Sequence, residues 1–123
     1  MPDSVTTLAA LLREKHRILK QLEEEALAAM HQHADEASYR RLMRERACAL
    51  ADLEEEAGPC IAALPEELRR MCAGAVRGFS GGARNALDLD SVFYMSALLY
   101  PDEHKAGEPD NLERLIAELQ ART

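Results

Sequence analysis

Leu8-Ala9-Ala10-Leu11-Leu12-Arg13-Glu14-Lys15-His16-Arg17-Ile18-Leu19-Lys20-Gln21-Leu22 decides the fold. Its large aliphatics return every three or four residues, which puts them on one side of a helix of 3.6 residues per turn. Arg13, Glu14, Lys15, Arg17 and Lys20 fall between them and are read as solvated. The stripe continues through Ala26, Ala29 and Met30, with no Gly or Pro in residues 5–34. Ser4 or Thr7 can cap its start. The polar run His31-Gln32-His33-Ala34-Asp35-Glu36 breaks the pattern, and Asp35 suits the cap of a second helix. There Tyr39, Leu42, Met43, Ala47, Leu50, Leu53 and Ala57 make the next stripe. Gly58-Pro59 is expected to end it, because proline cannot continue the hydrogen-bond ladder. Two long helices on a short link fold back on each other to bury their stripes. The prediction is an antiparallel, coiled-coil-like hairpin over residues 5–33 and 36–57.

The second half is more broken. Pro65 suits the first position of a helix, with Glu66 and Glu67 in its first turn. Leu68, Met71, Cys72, Ala75, Val76 and Phe79 give that helix an apolar face. Gly78, Gly81 and Gly82 around Ser80 predict a flexible joint. Val92 to Tyr100 is the most hydrophobic stretch, and periodicity alone does not separate buried helix from strand there. With no partner strand elsewhere it is read as helix, starting near Asp88 or Asp90. Residues 101–109 are a polar loop. Asp110 then caps a last helix over 110–121, with Glu113 completing a capping box and Leu112, Leu115, Ile116 and Leu119 on one side. The fold class is all-α: one helical domain over residues 1–123, a bundle of four or five helices.

Composition narrows the function. The 123 residues are 47% hydrophobic and 30% charged, an ordered composition, and only 4% aromatic. Leu, Ala and Met supply the apolar mass, which favours helix. The formal net charge of −7 repels phosphate backbones and anionic membrane surfaces, so neither nucleic acid nor membrane is expected as a partner. Cys48, Cys60 and Cys72 are odd in number and without a C-x-x-C pair, so they are read as reduced thiols serving as small hydrophobes. Met1 to Ala10 shows no signal peptide, and no apolar run approaches the ~18 residues that span a bilayer. A cytoplasmic location is expected.

No catalytic pattern emerges. His31 and His33 are metal-ligand types beside Asp35 and Glu36, but residues two apart point to different sides of a helix. Near a helix end such histidines also interact well with the dipole. Gly78-Phe79-Ser80-Gly81-Gly82 lacks the Lys-Ser/Thr of a phosphate loop and is not a nucleophile elbow. Glu23-Glu24-Glu25 and Glu54-Glu55-Glu56 are read as solvated faces. The chain is expected not to be an enzyme, and to need no cofactor and no metal. The alternative is a metal- or ligand-binding helical sensor or regulator, which a shared ion at His31 and His33 would favour.

Leu8 to Glu14 and Leu42-Met43-Arg44-Glu45-Arg46-Ala47-Cys48-Ala49-Leu50-Ala51-Asp52-Leu53-Glu54 resemble the opening of the flagellar export chaperone family (FlgN-like proteins). That family begins with a leucine-rich helix carrying an interior Glu, then a turn, then a helix with leucines, a basic residue and a Leu-Glu ending. The resemblance covers about residues 5–57. It implies a small acidic chaperone whose later, Asn-rich helix binds exported hook-associated clients. Of that later helix only Asn85 has a match here, and Val92 to Tyr100 and the tail from Pro101 have no counterpart. Independently of the family, wide apolar stripes must be covered by the C-terminal half, by a second copy in a homodimer, or by a partner helix. The favoured function is therefore an interaction module, a chaperone or adaptor for another helical protein. The residues picked as its contact are Val92, Phe93, Leu98, Leu99, Leu112, Leu115, Ile116 and Leu119, whose other reading is plain core.

Overall fold

The computed structural model describes residues 3–122; Met1, Pro2 and Thr123, the ends of the expected domain, lie outside them. Among the described residues the regular structure is all helix: α1 (Ser4–His33), α2 (Glu36–Ala51), α3 (Leu53–Ala62), α4 (Glu66–Asp88), α5 (Val92–Ala97) and α6 (Asn111–Ala121). None of these helices is long and apolar enough to cross a membrane.

The hairpin is present, with local corrections. Asp3, rather than Ser4 or Thr7, caps α1, its carboxylate accepting the Thr6 N–H at 2.7 Å. Asp35 caps α2, accepting the Ser38 N–H at 3.0 Å. Apart from Ala9 beside Leu8, the buried residues of α1 are Leu8, Leu12, Lys15, Leu19, Glu23 and Ala26, spaced by three and four. Lys15 and Glu23 are thus inward-facing and not solvated. Lys15 is satisfied by the Ala49 carbonyl at 3.0 Å and the Glu56 carboxylate at 2.6 Å, as a buried cation must be.

The second arm of the hairpin is bent at Asp52 and runs on through Pro59 to Ala62, past the expected stop at Gly58-Pro59. Ser80 of α4 causes the bend. Its fully buried hydroxyl donates to the Leu50 carbonyl at 2.8 Å and accepts the Glu54 N–H at 3.0 Å. In a straight helix those two backbone groups would bond to each other; a side-chain hydroxyl inserted between them opens the ladder and kinks it.

α4 is unbroken through Gly78, Gly81 and Gly82, which overturns the flexible joint. Cys72, Val76, Ser80, Ala83 and Ala86 bury its inner face, and that packing outweighs the low helix propensity of glycine. Nor is Val92 to Tyr100 one helix. α5 stops at Ala97, and Leu99 takes a positive φ of 74°, so the chain turns there; the Leu99 carbonyl accepts the Asn111 N–H at 2.8 Å. α6 starts with the expected capping box between Asp110 and Glu113. Two apolar clusters result, a larger one joining α1, α3, α4, α6 and Leu50 at the end of α2, and a smaller one around Ala26, Met43, Ala47, Ala86 and Met95.

Candidate functional site

Leu112, Leu115, Ile116 and Leu119 are buried in the larger cluster, so α6 is a core helix laid along α1. Full burial of such side chains is worth about 1.5–3 kcal/mol each. Leu99 is also buried, and Val92 and Leu98 are half-buried against the smaller cluster. These seven selected residues are therefore covered by the chain itself, because the C-terminal half closes over the hairpin stripe. Phe93 alone of the eight is open to solvent, at 72% exposure.

Phe93 does not stand alone. Tyr94 beside it is 52% exposed and Leu89 58%, and the two rings meet edge to face with centroids 5.7 Å apart. In a chain with five Phe and Tyr in all, two lie side by side in solvent. Large aromatics are the side chains with most to gain from burial and the commonest anchors of interfaces.

The corner that carries them is well held. Leu89 closes α4 through its N–H to the Asn85 carbonyl, and the Ser91 N–H reaches the Ala86 carbonyl at 3.1 Å. The Ser91 hydroxyl caps α5 by accepting the Tyr94 N–H at 3.2 Å. Met95 anchors α5 in the core. At the other end of α5 the buried Arg46 guanidinium donates to the Met95 and Leu98 carbonyls, both at 3.1 Å. A cation there satisfies carbonyls that the short helix leaves open and complements its dipole.

Arg46 has company of its own. Glu23 lies 3.7 Å away, the Tyr100 ring lies 5.8 Å from the guanidinium carbon, and the Tyr100 hydroxyl donates to the Glu23 carboxylate at 2.6 Å. Lys20 also donates to Glu23, at 3.1 Å. Burial pushes the Glu23 carboxyl up, but the Tyr100 and Lys20 hydrogen bonds and the Arg46 charge outweigh it and hold it below the usual range. Burial and the Glu23 contact push the Tyr100 phenol up. The network joins α1, α2 and the 98–100 turn and so positions the aromatic corner.

At the foot of α5, Arg40, Arg41, Arg44, Asp90, Val92 and Met95 line a cleft of about 160 Å³. The arginines pair with Glu36, Glu45 and Asp90, all on the exposed surface. Such exposed pairs are worth about 0–1 kcal/mol and exchange partners cheaply.

No family model, curated protein or solved structure matches this chain. Of this corner the sequence pattern marks Phe93; Tyr94 is submerged in the apolar run Val92 to Tyr100, and Leu89 lies outside that run and carries no signal of its own. The signal available was Asp88-Leu89-Asp90-Ser91, a polar break that stops the run from packing as one helix. Of the other candidates, His31 and His33 are exposed at the last turn of α1. Cys72 is buried, which raises its thiol, whereas Cys60 is partly buried and Cys48 is exposed. Among the described residues the side chains that converge as metal ligands are His16, Asp110 and Glu113, a set no sequence motif announces.

Proposed function

We propose that this protein is a non-enzymatic interaction module, a small cytoplasmic chaperone or adaptor that docks a helical segment of another protein at Leu89, Phe93 and Tyr94. The observation that carries the reading is that Leu89, Phe93 and Tyr94, on either side of the braced turn between α4 and α5, are each more than half exposed, the two rings in contact. Desolvating aromatic anchors on a preorganised backbone yields affinity at little ordering cost. The arginines at the foot of α5 favour a segment that presents acidic residues beside its apolar anchors, since those can take over the weakly held guanidinium groups. The FlgN-like pattern of residues 5–57 is compatible with an export-chaperone role, with the contact moved from the last helix to this corner. Placing p-benzoylphenylalanine at position 93 in the native cell tests the reading. A light-dependent adduct with one other protein, whose purified acidic helical segment then binds the chain, supports it. Adducts only with a second copy would replace it by a homodimer, and no adduct at all would refute it.

A further inference from the structure

We propose that His16, Asp110 and Glu113 form a site for one divalent transition-metal ion, best matched by Zn²⁺, clamping α6 to α1. The His16 Nε2 lies 3.1 Å from Asp110 Oδ2 and 3.5 Å from Glu113 Oε1, and all three donor atoms fall within 4.8 Å of one another. Tetrahedral zinc with nitrogen and oxygen ligands at about 2.0–2.2 Å holds neighbouring donors roughly 3.4 Å apart, so both spacings from the imidazole already match, and a small shift of the exposed Glu113 side chain completes the set.

The lone pairs are available. Asp110 uses Oδ1 to accept the Glu113 N–H at 2.8 Å, which leaves Oδ2 facing the imidazole. Glu113 accepts the Asp110 N–H through Oε1 at 3.1 Å and has Oε2 besides. The imidazole nitrogen between the two carboxylates needs a proton to bond to them; a metal ion takes the place of that proton.

The surroundings grade from dry to wet. The Asp110 side chain is 6% exposed, His16 21% and Glu113 46%. An open groove of about 250 Å³ borders His16 and Glu113 and leaves room for water as a fourth ligand. With a neutral imidazole the two carboxylates give the set a formal charge of −2, and Arg13 in the same groove reduces the local balance to −1. One imidazole with two carboxylates suits zinc better than magnesium or calcium, which take oxygen ligands. His16 and Asp110 are 94 residues apart. An ion there would tie the N-terminal helix to the C-terminal one.

Calorimetric titration of the untagged, metal-stripped full chain with zinc sulfate tests the site, with circular dichroism on every variant. One saturable site per chain in the micromolar range is expected. Glu113→Gln keeps an oxygen for the Asp110 N–H and so preserves the capping box; it should still weaken binding at least tenfold, as should His16→Ala. The His31→Ala/His33→Ala variant should bind like wild type. Absence of saturable binding below about 1 mM overturns the site, as does wild-type affinity in folded Glu113→Gln or loss of binding in the His31/His33 variant. If His16→Ala fails to fold, Glu113→Gln decides.

Discussion

Ser80→Ala removes one oxygen and should cost far more than a surface serine. The hydroxyl is fully buried and serves two backbone groups of the neighbouring arm, the Leu50 carbonyl at 2.8 Å and the Glu54 N–H at 3.0 Å. Leu50 and Leu53 on either side of the bend are 1% and 0% exposed, so core packing holds the bend in place and resists straightening. With the bend kept, the alanine variant leaves a buried carbonyl and a partly buried N–H unpaired. A buried polar group stripped of its partner costs about 1–3 kcal/mol, so a total near 2–3 kcal/mol is expected. For a chain of 123 residues, 1 kcal/mol corresponds to about 4 °C in Tm, which predicts a drop of about 8–12 °C. Thermal melts by circular dichroism, with urea titration to check that the m-value is unchanged, measure it. A Ser80→Ala melt within about 2 °C of wild type would show that the Leu50 and Glu54 groups simply pair with each other, and that the serine does not bend the arm.

The glycines of α4 give a prediction of opposite sign. A Cβ at Gly74, Gly78 or Gly81 meets nothing within 4 Å, so each change to alanine should stabilise by about 0.5–1 kcal/mol, and a lower Tm in the triple variant would contradict an unbroken α4. Leu115→Glu places a carboxylate at a position 7% exposed in the core, and loss of at least about 3 kcal/mol or outright unfolding is expected; a wild-type melt would mean that α6 is not docked as described. Because the folded Glu23 carboxyl sits below its usual value near 4.5, its contribution is complete above that pH and is lost as pH falls through the lower folded value. The Tm advantage of wild type over Glu23→Gln should therefore be present at pH 7 and shrink below pH 4.5; an equal gap at pH 7 and pH 3 would rule this out.

The hairpin was legible because Leu8, Leu12, Leu19 and Ala26 keep a helical spacing, and the starts of α2 and α6 because the caps that Asp35 and Asp110 make are local. Lys15 and Glu23 were not legible in the same way. The stripe leaves gaps between Leu12 and Leu19 and between Leu19 and Ala26, but His16 and Leu22 stand at the same three- and four-residue spacing, and only packing against α2 and α3 turns Lys15 and Glu23 inward. What spacing could not reveal depends on partners distant in sequence. The bend at Asp52 comes from a serine 26 residues beyond Glu54, and Arg46 becomes a cap only because α5 ends beside it. The glycines of α4 misled for the same reason, since their propensity is local and the packing that overrides it is not. The apolar face of α6 carried no mark to separate core from contact. Phe93 stayed exposed because the turn at Leu89 to Ser91 points α5's outer face away from the bundle.

The most direct test of the interaction account is the affinity of the Phe93→Ser/Tyr94→Ser variant for the partner segment captured at position 93, measured by calorimetry alongside its melting curve. Both side chains are more than half exposed, so the account predicts a Tm within about 2 °C of wild type and an affinity at least 100-fold weaker, the loss expected when two aromatic anchors are removed. A folded variant that binds the segment as tightly as wild type would contradict it.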